Sequence, residues 1–318
     1  MKKLVLNNKE FESLEKLPLV EGTVEKESIM YYSPEKEKEV LKVYTDYDNK
    51  IYIMEKLKNT RKLLRYIKEQ EFPELLRPLG IVYLDDKIIG TIYPEIEAYT
   101  ARTYLYLNII PMKVKIEILK RIGMLLEKIK STNPEYNAAF SDVHIDNFLI
   151  DDISVDENRN INHLSIVACD TDSMKIKDSK GNPAYYLYDS DKLVNFNKYK
   201  LDSEKMIIPD SNTDIYCYIM LILDFISKNG YAYCLSVNEY NRYLDYLDKL
   251  GIDSKLLESF ASVYKKDIDN ISPLPYLDAL YDIDENASLQ SFYKKSLSWF
   301  FNKICYNISE SYKERWRD

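Results

Sequence analysis

The stretch FSDVHIDNFLIDD, Phe140 to Asp152, sets acids, a histidine and an asparagine between a helix-like run and a strand-like one. Asp142 stands five residues before Asn147, and the apolar FLI follows directly. Phosphoryl transfer asks for a carboxylate beside an attacking hydroxyl, oxygen ligands for Mg²⁺ and a cation on the phosphates. Magnesium takes one or two carboxylates and completes its shell with phosphates and waters. On that chemistry Asp142 accepts or orients the hydroxyl proton, Asn147 binds the metal, and FLI anchors the loop in the core. A solvated surface loop is the plain alternative for the same residues.

Such groups must come from separate elements. SIMYYS and EVLKVYT are short β-prone segments around the polar PEKEKE, the pattern of a hairpin. NKIYIMEKLKNTRKLLRYIKEQ follows as a helix ended before Pro73, and LRPLGIVYLDDKIIGTIYPEI reads as two strands turned at LDDK. The first part of the chain is thus expected to be a small antiparallel sheet with one long helix laid on it. Beyond it, PMKVKIEILKRIGMLLEKIKST carries Ile116, Leu119, Ile122, Leu126 and Ile129 at helical spacing. NFLID and HLSIVACD read as buried strands joined by the polar DISVDENRNIN. TDIYCYIMLILDFISKNG reads as an apolar helix started by Thr213 or Asp214 and ended at Gly230. VNEYNRYLDYLDKL, DSKLLESFASVYKK and SLQSFYKKSLSWFFNKICYNI read as further helices. The expected class is α+β, a β-rich part over residues 1–97 and a larger helical part over 98–318.

Taken together, these segments resemble the protein-kinase-like superfamily, in the manner of divergent bacterial-type Ser/Thr protein kinases, in order and over almost the whole chain. SDVHIDNFLI looks like the catalytic loop and SIVACDTDS like the metal-binding segment ending in Asp170. EVLKVY looks like the strand bearing the phosphate-binding lysine, Lys42. TDIYCYIMLILDFI looks like the helix whose Asp214 braces the catalytic loop. The resemblance implies a bilobal fold with ATP and Mg²⁺ between the lobes, the adenine near Tyr93, Glu95 and Ile96, and Asn147 and Asp170 on the metal. It also implies a helix glutamate that pairs with Lys42, for which Glu55 is the best candidate; on the apolar stripe of its helix Glu55 instead reads as a solvated residue. His144 either touches the transferred phosphate or hydrogen-bonds within its loop. The activity implied is γ-phosphate transfer from ATP to a protein hydroxyl.

The departures from that pattern are specific. LVEGTVEKESIMYY offers only Gly22 where a Gly-rich loop belongs, and Glu25 and Glu27 would repel phosphates. DTDS stands in place of D-F-G, which makes Asp172 either an extra metal ligand or a turn acid. Ser141 occupies the place of the arginine that receives an activation-loop phosphate. GNPAYYLYDSDKL is a candidate substrate-facing segment. Two alternatives follow from these departures: a pseudokinase that binds partners without transfer, and a small-molecule kinase, suggested by His144 and DTD.

Composition narrows the classes. With 52 acidic against 44 basic residues the net charge is −8, which argues against phosphate-backbone binding of nucleic acid. The four cysteines are scattered without a C-x-x-C pair, as expected of reduced thiols. The longest apolar run, YCYIMLIL, falls far short of the roughly 20 residues of a membrane span, and a cytoplasmic location is expected.

Overall fold

The computed structural model describes residues 1–18, 28–35, 37–132, 136, 138–156, 161–176, 210–228, 232, 235–262 and 272–296. Within these the chain is mixed α+β. Strands β1 (Lys2–Leu6), β2 (Ser28–Tyr32), β3 (Glu39–Tyr44), β4 (Gly80–Leu84) and β5 (Lys87–Pro94) form one sheet in the order β1-β4-β5-β3-β2. Helix α1 (Asn8–Glu12) follows β1, and the long helix α2 (Lys50–Gln70) connects β3 to β4.

The sheet differs from expectation in one respect. It is not wholly antiparallel, because β1 pairs in parallel with β4, Leu4 opposite Val82. The five-residue KKLVL is too short and too charged to announce itself. What fixes it is long-range burial: Leu4 and Leu6 pack with Leu41, Val43, Val82 and Ile92 on one face of the sheet. The opposite face, with Tyr44 and Ile81, packs on Tyr52, Ile53 and Leu57 of α2. Period-two alternation therefore puts Lys42, between Leu41 and Val43, on the α2 face. Gly22 and its neighbours lie outside the described residues; before them, Leu17 N–H donates to Met30 O at 2.9 Å, alongside β2.

Close backbone approach behind Lys42 depends on Gly90 of β5. A Cβ there would fall 2.2 Å from the Lys42 carbonyl oxygen, a distance no side chain can relieve because the obstacle is backbone. Gly90→Ala is expected to lose about 1–3 kcal/mol in urea unfolding, as overpacking does. A loss below a few tenths would show that β3 is free to shift.

The larger core is built on helices. After β6 (Tyr99–Thr100) and α3 (Ala101–Tyr106), helix α4 (Met112–Ser131) buries Ile116, Leu119, Ile122, Leu126 and Ile129, the stripe read from sequence. Strands β7 (Phe148–Val155) and β8 (Ile161–Ala168) form a hairpin beside β6. The hairpin is longer than expected: residues assigned from sequence to the polar connection, Asp152 to Val155, pair with His163 to Ser165 and Ile161. Helix α5 (Ser211–Ile226) is buried almost all round and is capped by Asp210, whose side chain accepts from the Asn212 and Thr213 N–H groups. Asp214, expected at the helix start, therefore lies inside its first turn. Helices α6 (Val237–Lys249), α7 (Ser254–Ala261) and α8 (Leu289–Ser296) follow. The expected continuation of α8 through SWFFNKICYNI, the segment GNPAYYLYDSDKL and Gly230 lie outside the described residues.

Candidate active site

The β7–β8 hairpin brings two distant parts of the sequence to one point. Phe148 pairs with Ala168, so Asn147, just before β7, and Asp170, just after β8, emerge side by side. Cys169 N–H donates to the Asn147 carbonyl at 2.8 Å and closes that end. The hairpin is joined to the sheet through residues 74–76: Ala168 N–H donates to Glu74 O at 2.7 Å, and Leu76 N–H donates to Ala168 O at 2.9 Å. This junction sets Asp170 under Lys42.

Lys42 Nζ donates to Asp170 Oδ1 and, at 2.6 Å, to Asp172 Oδ1. Burial opposes charge on this ammonium, yet the two carboxylates outweigh it and hold the lysine well above its ordinary value. Asp172 is pulled the other way: burial raises it, and the Lys42 and Lys56 ammoniums together bring it below the ordinary carboxylate range. Asp170 is raised by burial, helped by Asp172 and Asp142 and opposed by Lys42. Asp170 sits at φ 56°, a left-handed conformation uncommon for a residue with a side chain and concentrated at functional sites.

The loop from Ala139 to Asn147 is held from several sides. Asp214 Oδ2 accepts from Phe140 N–H at 2.6 Å, and its Oδ1 accepts from Ser141 N–H at 2.8 Å. Ala139 and Lys175 exchange backbone hydrogen bonds at 2.8 and 2.9 Å. Phe140 and Phe148 stack at 5.4 Å and fix both ends of the loop in the core. Between them, Asn147 Nδ2 donates to Asp142 Oδ2 and to the Asp142 carbonyl, each at 3.0 Å. With both amide hydrogens so placed, Asn147 Oδ1 and Asp142 Oδ1 meet no donor among the described residues and are left for other partners.

Burial pushes the Asp214 carboxyl up to about 7, against the two N–H bonds that favour its charged form. A folded value above the ordinary one means that the fold favours the proton-bound form. This contribution to stability is full below about pH 4 and is lost as pH rises through about 7. Asp214→Asn removes the titration, so wild type should lose more stability than the variant between about pH 5 and about pH 8 in urea unfolding. Equal losses would contradict the assignment.

Two expectations for the site are corrected. Glu55 does not pair with Lys42: it is half-buried, with Lys58 of the next helical turn at 3.9 Å. The helix turns Lys56 inward instead, and Lys56 Nζ reaches Asp172 Oδ2 at 3.3 Å. Asp172 is not placed as a metal ligand, since its carboxylate is fully buried and its two oxygens face the two lysines. His144 takes the loop role: its Nδ1 lies 3.4 Å from the Asp146 N–H and 3.2 Å from Asp146 Oδ2.

Near the end of β5, Tyr93 is buried. Glu95 N–H donates to Lys38 O at 2.9 Å, and Ile96 O accepts from Ala98 N–H at 3.0 Å.

Sequence reasoning missed Lys56, Asn59, Arg102 and Asp146. Lys56 and Asn59 had a signal, for they stand on the buried stripe with Ile53, Leu57, Thr60 and Leu63, where a polar residue must find a partner. Asn59 Nδ2 donates to the Asp172 and Met174 carbonyls at 2.8 and 2.9 Å. Arg102 of α3 grips Asp146 with two bonds at 2.7 and 2.8 Å, and no spacing announces a pair so far apart in the chain. Cys169 is pushed up to about 12 by burial, as suits an unreactive thiol.

The donor set fits Mg²⁺ in kind. Asn147 Oδ1 is open, and the Asp170 side chain keeps 32% of its exposure, the one carboxylate of the Lys42 cluster that solvent reaches. Among the described residues no group of three His, Cys, Asp or Glu is placed to hold a metal alone, so nucleotide phosphates and waters would have to complete the shell. No described helix is long and apolar enough to cross a membrane. No protein-family model matches the chain, and no curated protein matches it.

Proposed function

We propose that the protein is an ATP- and Mg²⁺-dependent phosphotransferase of the protein-kinase-like fold, transferring the γ-phosphate to a Ser or Thr hydroxyl of a protein. One observation carries this reading. A buried strand lysine meets the aspartate at the end of the β7–β8 hairpin, beside an Asp142–Asn147 pair anchored by Asp214. The order of elements supports it as well, with a five-stranded sheet bearing one long helix followed by a helical core that contains the hairpin.

In this arrangement Lys42 holds the phosphates by charge. Asp142 keeps one oxygen on the Asn147 amide, which orients the other towards the substrate hydroxyl whose proton it accepts. Asn147 Oδ1 and Asp170 would hold Mg²⁺, which would neutralise charge on the phosphates. The adenine lies against the Tyr93–Ile96 connection, where the Ile96 N–H is left without an acceptor among the described residues.

A second reading, a nucleotide-free scaffold, is favoured by the direct Lys42–Asp170 bond, which pairs the two groups assigned to phosphates and metal with each other. A thermal-shift titration separates the two, because a ligand that binds only the native state must raise the melting temperature. With Mg²⁺-ATP at about 100 times its Kd the native state gains about 2.7 kcal/mol. No shift at millimolar Mg²⁺-ATP would leave the scaffold standing.

A further inference from the structure

Lys42 has two carboxylate partners of unlike character. Asp170 is one-third exposed, whereas the Asp172 side chain is fully buried. Asp172 is also held from beneath at several points. Its Oδ2 faces Lys56 Nζ at 3.3 Å, and its backbone carbonyl accepts from Asn59 Nδ2 at 2.8 Å. The same Asn59 amide reaches Met174 O at 2.9 Å, so the turn Thr171–Ser173 is tied to one face of α2. Lys56 itself lies over the Tyr44 and Tyr52 rings, 5.5 and 5.8 Å from their centroids, which fixes its ammonium laterally.

We propose that Asp172 is the positioning residue for Lys42, in place of a helix carboxylate, and that Lys56 and Asn59 of α2 set Asp172 in place. The charges are inverted relative to the expected pairing. The acid comes from the turn after β8, and the helix contributes a base. This rests on the reading of Lys42 as the phosphate-holding group. When Asp170 turns to another cation, Asp172 keeps Lys42 paired, so the placement of the lysine does not depend on Asp170. Placement of Lys42 is then coupled to the packing of α2 on the turn, since a displaced helix would strand a buried ammonium and loosen Asp172 together.

The test reads Lys42 directly and needs no nucleotide. The folded protein is labelled with an amine-reactive ester, and modification of Lys42 is followed by mass spectrometry. Asp172→Asn is expected to speed Lys42 labelling about tenfold, the loss of one charged hydrogen bond. Lys56→Gln should speed it several-fold, Lys56→Arg should restore the slow rate, and Glu55→Gln should leave it unchanged. Moving the acid to the helix, with Lys56→Glu and Asp172→Asn together, should return Lys42 towards wild-type protection. Should Asp172→Asn fail to fold, the Lys56→Gln and Lys56→Arg pair decides the matter. A folded Lys56→Gln protein whose Lys42 labels at the wild-type rate, or a Glu55→Gln protein that labels faster, overturns the proposal. Failure to bind Mg²⁺-ATP with this protection pattern intact would instead remove the phosphotransferase reading and leave the positioning role in place.

Discussion

Asp142→Asn is expected to lower γ-phosphate transfer by about 10² to 10⁴, the contribution of a positioned general base. The substitution is conservative in shape and keeps a carbonyl oxygen for the Asn147 amide, which in wild type donates to Asp142 Oδ2 at 3.0 Å. The loop is also secured independently by Asp214 on the Phe140 and Ser141 N–H groups and by the Ala139–Lys175 bridge. Folding and nucleotide affinity should therefore be retained, and the loss should fall on kcat rather than KM. Radiolabel transfer to a protein acceptor, measured beside a Mg²⁺-ATP thermal shift, checks both halves. Transfer that survives the change would remove Asp142 from the mechanism. Lost binding together with lost transfer would make its role structural.

The second large effect is on stability. Asp172→Ala is expected to cost about 3–5 kcal/mol, the usual loss when one partner of a buried ion pair is removed and its counter-charge stays behind. Lys42, which keeps Asp170, and Lys56 each lose this partner, and both are buried. Part of the cost comes from the buried Lys56 charge losing Asp172, so adding Lys56→Met should recover that part. In a double-mutant cycle the two sites should then couple by more than about 0.5 kcal/mol. Glu55→Ala, whose partner Lys58 is exposed at the surface, should stay within about 0.5 kcal/mol of wild type. Urea unfolding of wild type, the three variants of the cycle and Glu55→Ala gives the comparison. Additive losses at Asp172 and Lys56 would mean that they do not share one cluster.

The elements that place the site were legible because their signals are local. The β-prone residues of EVLKVY, a five-residue stripe in α4 and the apolar FLI after Asn147 each name an element without knowledge of its partners. The Asp214 brace was legible through the resemblance, although the helix begins earlier, at an Asp210 cap that the sequence offers equally well. What stayed hidden depends on contacts between distant residues. β1 exists because β4 offers it a parallel edge, and Arg102 finds Asp146 across 44 positions. Glu55 was preferred because a glutamate was sought on α2. The buried stripe includes position 56, a lysine, and the carboxylate that meets both Lys42 and Lys56 is Asp172.

A structure of the protein with Mg²⁺ and a non-hydrolysable ATP analogue tests the central claim most directly. The expected result is the triphosphate on Lys42 Nζ, the metal on Asn147 Oδ1 and Asp170, and the Lys42–Asp172 bond retained. A nucleotide bound elsewhere, or Lys42 still joined to Asp170 at saturating analogue, would contradict the account.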